Sequence, residues 1–71
     1  MDVKAEMNAI VWKIELEAGA KVAADDVIMI LESMKMEIPV TAPIAGRIRA
    51  LAVAEGTSVT EDDVLAVIDP D

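Results

Sequence analysis

The 71 residues predict an all-β domain, a sandwich or flattened barrel assembled from two like halves. Sliding the sequence against itself by 37 positions aligns seven identical pairs: Val3 with Val40, Ala5 with Ala42, Gly19 with Gly56, Val22 with Val59, Asp25 with Asp62, Asp26 with Asp63 and Val27 with Val64. The halves are residues 1–34 and 38–71. Repeated units of this kind pack their apolar faces against each other, because one unit alone cannot bury its own face. The apolar segments are also short and rich in Val and Ile, which suits strands better than helices. Finally, turn-forming residues recur at matched places, as Gly19 and Gly56 and as the doublets Asp25-Asp26 and Asp62-Asp63.

The first clear strand covers residues 9–16, where Val11, Ile14 and Leu16 are the inward candidates. The step of three between Val11 and Ile14 interrupts the period of two and predicts a bulge or sharp bend. Glu17-Ala18-Gly19 closes the segment as a turn. A second strand at 27–31 follows the Ala24-Asp25-Asp26 turn. The second half repeats this order, with a strand at 46–53, the same step of three from Ile48 to Leu51, a turn at Ala54-Glu55-Gly56, and a last strand at 64–68. Helical spacing of Ile10, Val11, Ile14 and Ala18 is the competing reading, opposed by the paired Gly and Asp-Asp punctuation.

Composition limits what such a domain does. A chain this short supports one core. With no Cys and no His it has neither a disulfide framework nor a Cys/His metal site. Fourteen acidic against six scattered basic residues give a net charge of −8, which disfavours nucleic acid and anionic lipid as partners. No apolar run approaches the roughly 18 residues of a membrane span and no signal-peptide pattern opens the chain, so a soluble cytoplasmic protein is expected. Without His, Cys or Tyr, the candidates for acid–base or nucleophilic work are carboxylates, lysines, Ser33, Ser58 and three threonines. An enzyme is poorly equipped by this set; a carrier acted upon by other enzymes needs one accessible reactive side chain.

Only Lys35, Met36 and Glu37 fall outside the two halves, so the repeat itself places Lys35 at the junction. The strand at 27–31 runs out and residues 38–41 lead back, which calls for a tight hairpin around Met34-Lys35. Two-residue hairpins favour Asn-Gly, Asp-Gly or Gly-X because their central residues take positive φ, and no Gly or Asn occurs between Val27 and Ile38. A turn built against local propensity points to function. The residues alone also allow Lys35 to be an ordinary solvated lysine, with Met34 and Met36 as flexible gap-fillers.

The hexapeptide Glu32-Ser33-Met34-Lys35-Met36-Glu37 closely resembles the biotinyl attachment signature of biotin-dependent carboxylases and transcarboxylases. Glu17-Ala18-Gly19, Glu55-Gly56 and the run from Thr41-Ala42-Pro43 to Gly46 resemble other stretches of that family. The resemblance implies a flattened barrel of two four-stranded antiparallel sheets with quasi-twofold symmetry, a barrel-sandwich hybrid. Residues 1–71 then form one biotinyl-attachment domain with the biotinylation hairpin at 34–36. No thumb insertion is expected, since the halves align without a gap. It implies covalent biotin on Lys35, with Met34 and Met36 serving recognition and packing beside it. The partners implied are a biotin protein ligase, a biotin carboxylase and a carboxyltransferase, between which biotin shuttles an activated carboxyl group. The domain is then a non-catalytic carrier, monomeric when free. It is similar to compact stand-alone biotinylated carriers, and Met1 at a sensible domain start suits a free protein. Asn8-Ala9, Ser33 and Asp25-Asp26 depart from the Pro-Gly, Ala and Gly-Asp of many relatives. A lipoyl carrier shares the fold and the hairpin lysine but typically has an acidic residue before the lysine and a small one after it. An unmodified interaction module, like the hairpin domain of efflux adaptors, is the alternative from another class.

Overall fold

The computed structural model describes residues 1–71 as eight strands without a helix. They are β1 (Asp2–Lys4), β2 (Ala9–Ile14), β3 (Lys21–Val22), β4 (Val27–Ser33), β5 (Met36–Thr41), β6 (Gly46–Leu51), β7 (Ser58–Val59) and β8 (Val64–Pro70). One antiparallel sheet has the order β1-β8-β6-β3 and the other β5-β4-β2-β7. Adding 37 to the first half turns each strand of one sheet into its counterpart in the other, so the quasi-twofold axis expected from the repeat is present. The sheets face each other without closing into a continuous barrel.

Both halves contribute strands to both sheets. β1 and β3 of the first half pair with β8 and β6 of the second, while β7 of the second pairs with β2 of the first. Neither half therefore has a complete sheet without the other. Inward residues of the two sheets, including Val11, Ile28, Met29 and Leu31 on one side and Ile48, Leu65, Ala66 and Ile68 on the other, make one buried cluster. No polar or charged residue is buried, so stability rests on aliphatic packing rather than on internal ion pairs.

The step of three in the sequence corresponds to bulges at matched points, between Val11 and Lys13 on β2 and between Ile48 and Ala50 on β6. The extra residue bends each strand so that Ile14 and Leu51 can pack against the core. At the first bulge the Ile14 amide donates to the Glu55 carboxylate at 2.9 Å. The Asp-Asp doublets are two copies of one turn. Asp25 and Asp62 both have φ 74°, while Asp26 and Asp63 each accept a hydrogen bond at 2.9 Å from the amide three residues earlier. Aspartate tolerates this left-handed conformation better than most residues, which explains how it stands where a glycine would otherwise serve.

Edge strand β5 is guarded by Pro39. Counting outward from the two-residue hairpin, the pairs Ser33–Met36 and Leu31–Ile38 exchange backbone hydrogen bonds, while Ile30–Pro39, the next pair out, is a non-hydrogen-bonded one whose β5 member turns its nitrogen to the open edge. Proline there removes an edge donor without costing the ladder a bond.

Gly46 starts β6 where a Cβ would collide with the backbone carbonyl of Asp69. Its counterpart Ala9 is buried and accommodates its methyl group. Gly46→Ala is expected to destabilise the domain by about 2 kcal/mol, read as a lowered urea midpoint at unchanged m-value; an unaltered midpoint would show that β6 and β8 are free to separate there.

Candidate functional site

The β4–β5 hairpin is the place where the chain passes from one half to the other. Its last strand pair is Ser33 with Met36, leaving Met34 and Lys35 as the two central residues. Both have positive φ, 52° at Met34 and 65° at Lys35. A turn with positive φ at both central positions has the twist that matches two antiparallel strands, which is why it forms here despite the side chains. Each non-glycine residue in this region costs roughly 1–2 kcal/mol. The cost is tolerated because the flanking strands are anchored: Ile28, Met29 and Leu31 of β4 are fully or almost fully buried.

A polar brace holds the hairpin base. The Ser33 hydroxyl donates to the Asn8 backbone carbonyl at 3.1 Å, and the Asn8 side-chain oxygen accepts from the Glu61 amide at 3.0 Å. Two of the departures noted in the sequence, Asn8 and Ser33, are thus neighbours that join the hairpin to the β7–β8 turn. Sequence reading did not foresee this contact, since residues 25 apart with no shared periodicity carry no signal of it.

The tip itself is open. Met34 is 91 % exposed and Met36 65 %, and Lys35 is exposed between them. The two ion pairs of the chain, Lys13–Glu15 and Arg49–Asp69, lie elsewhere, so the Lys35 amine is not held by a carboxylate. Glu32 and Glu37 sit directly opposite one another one pair below the tip. An acyl group joined to a lysine by an amide needs a free amine clear of the backbone and no enclosing pocket, and Lys35 meets both conditions. The cleft of about 380 Å³ between β1 and β5, lined in part by Val3, Leu31, Ile38 and Val40, does not border Met34, Lys35 or Met36. No group of acidic side chains is arranged to hold a metal ion.

Met34→Gly is expected to raise the unfolding free energy by about 1 kcal/mol, since glycine adopts positive φ without the Cβ penalty. Chemical denaturation measures this; a loss of stability would mean that the Met34 side chain packs usefully despite its exposure.

Residues 2–68 match the sequence model of a family described as "Biotin-requiring enzyme". The chain is similar to the biotinylated protein TB7.3 homolog of Mycobacterium leprae (strain TN), with 42 % identity over 67 residues that cover 94 % of each chain. Among solved structures it is similar to the urea carboxylase of Kluyveromyces lactis, with a TM-score of 0.92 and 30 % identity over 97 % of this chain and 6 % of that one. It also shares its fold with the lipoyl domain of the 2-oxoglutarate dehydrogenase complex from Azotobacter vinelandii, at a TM-score of 0.83 and 24 % identity over 97 % of this chain and 95 % of that one.

Proposed function

The chain belongs to the family described as "Biotin-requiring enzyme", and from that premise we propose that it is a carboxyl carrier whose biotin is bound covalently through Lys35. The observation that carries this reading is the placement of Lys35 between Met34 and Met36 at the tip of a rigidly anchored hairpin with positive φ at both central positions.

The whole of residues 1–71 acts as the attachment domain, and residues 34–36 present the acceptor. Free lysine amines are almost wholly protonated at neutral pH, so acylation needs a partner that takes up the proton and supplies an activated acyl group. A biotin protein ligase does both: the Lys35 nitrogen attacks the acyl carbon of biotinyl-adenylate, the amide bond forms, the acyl–phosphate bond breaks, and AMP leaves. Once attached, biotin supplies a ring nitrogen that accepts a carboxyl group and later gives it up. The hairpin's part is geometric. It holds Lys35 away from both sheets, and Met34 and Met36 offer flexible, polarizable surface to whichever protein approaches. Tethering raises the local concentration of the carried group at a biotin carboxylase and a carboxyltransferase in turn.

Fold likeness does not separate biotin from lipoate, because both kinds of domain share this architecture. The residues beside the lysine do: methionine stands on both sides of Lys35, where a lipoyl site has an acidic and a small residue. A cytoplasmic, monomeric domain is part of the same proposal, and the Pro39-guarded edge, which resists pairing with a second sheet, supports the monomer.

Intact mass and peptide mapping after incubation with biotin protein ligase, ATP and biotin test the proposal. One biotinoyl addition on Lys35 is expected, and none on the Lys35→Arg variant. An unmodified wild-type chain, under conditions that label a known acceptor domain, would overturn it.

A further inference from the structure

The internal symmetry supplies a counterpart for every residue outside 35–37. On the outer face of the sheet β1-β8-β6-β3, Arg47 and Arg49 project from β6; Arg47 donates to the Gly19 carbonyl at 2.8 Å and Arg49 pairs with Asp69 at 3.1 Å. The equivalent positions on β2, in the sheet that bears the hairpin, are Ile10 and Trp12, 48 % and 50 % exposed, and the counterpart of Asp69 is Glu32. The same backbone therefore carries two arginines, one ion-paired and one hydrogen-bonded to a carbonyl, on one side and an apolar face with unpaired acids on the other. Trp12 is the only aromatic residue of the chain, and half of it is left in water.

Register places these residues beside the hairpin. Ile10 pairs with Glu32, which pairs with Glu37, in the row next to Ser33–Met36. The bulge sets Trp12 and Lys13 against Ile30, which pairs with Pro39. At about 3.3 Å per residue this second apolar row lies about 10 Å from the last hairpin pair. Like charges directly opposite in a sheet are destabilising, so the unrelieved Glu32–Glu37 pair marks an edge suited to a partner's basic groups. Lys13, on the same bulge, is already paired with Glu15.

We propose that the outer face formed by Ile10, Trp12, Ile30 and Pro39, with Glu32 and Glu37 at its hairpin end, is the docking surface for the biotin protein ligase. This rests on the reading of Lys35 as biotin acceptor. Reach selects the ligase over the carboxylase as occupant. In the loading step the reacting atoms must come within about 3–3.5 Å, and the four-carbon stem of lysine is the only tether. The ligase must therefore close over the hairpin and the strand rows next to it. A carboxylase meets the group at the end of a much longer arm and is not forced onto this face. The ligase surface that fits is an apolar depression for the indole, bordered by Arg or Lys opposite Glu32 and Glu37.

Steady-state biotinylation of Trp12→Ser, Trp12→Phe and the symmetry-related control Arg49→Ser tests this, each variant being checked for a cooperative thermal transition. Trp12→Ser is expected to raise KM about tenfold with kcat nearly unchanged, as for lost ground-state docking. Trp12→Phe should restore most of the loss and Arg49→Ser should leave both constants alone. Independently, wild-type domain carrying 5-fluorotryptophan at Trp12 should show a ¹⁹F shift on adding ligase with a non-reactive biotinyl-adenylate analogue. A wild-type KM in Trp12→Ser, an equal effect of Arg49→Ser, or an unmoved ¹⁹F line would overturn the docking proposal while leaving Lys35 as acceptor. Failure of the wild-type chain to be labelled at all would overturn the acceptor reading and this one with it.

Discussion

Everything in this small domain hangs on the packing of two interlocked sheets against one another. Each half of the chain gives strands to both sheets, and the aliphatic side chains of Val11, Ile28, Leu31, Ile48, Leu65 and Ile68 meet in one cluster between them. There is no disulfide to hold a loosened strand, and no buried ion pair to orient it. Folding is therefore all-or-none: a half-formed sheet exposes the face that the other sheet should cover. At roughly 0.05–0.15 kcal/mol per residue, a 71-residue domain has a net stability of about 4–11 kcal/mol. Two central hairpin residues at roughly 1–2 kcal/mol each take a visible share of that margin, and only the anchored strands on either side make the share bearable.

Quasi-twofold symmetry makes the departures from it informative. The bulges, the Asp-Asp turns and the buried positions repeat across the two halves, as expected of features that serve the fold alone. Among the features that do not repeat, three cluster in one region: the Met34–Lys35 turn, the brace between Ser33 and Asn8, and the exposed Ile10 and Trp12 where the other sheet has two arginines. The scaffold is thus duplicated and the working surface is single. That division suits a carrier, whose duty is to present one side chain in a fixed attitude to larger proteins.

Much of this was legible in the sequence, for definite physical reasons. A 37-residue repeat with Val/Ile strands leaves few arrangements that bury both halves, and the step of three from Val11 to Ile14 is the period error that a bulge makes. The turn at Met34–Lys35 was marked by the absence of the residues such turns prefer, and its positive φ values are the cost of that absence. The two-residue strands β3 and β7 were not legible, because two residues display no periodicity. Nor was the Ser33–Asn8 contact, which depends on where the β1–β2 loop passes in space. The asymmetry of the outer faces did stand in the aligned halves, as Ile10 against Arg47 and Trp12 against Arg49, but became meaningful only once register set those positions beside the hairpin.

If biotin tethered to the hairpin lysine carries a carboxyl group between enzymes, uptake of labelled bicarbonate shows it most directly. The biotinylated domain, incubated with biotin carboxylase, ATP and ¹⁴C-bicarbonate, should acquire about one equivalent of label that comigrates with the protein, is abolished by prior avidin, and passes to acceptor when a carboxyltransferase is added. A fully biotinylated domain that takes up no label, beside a carrier that does, would contradict the account.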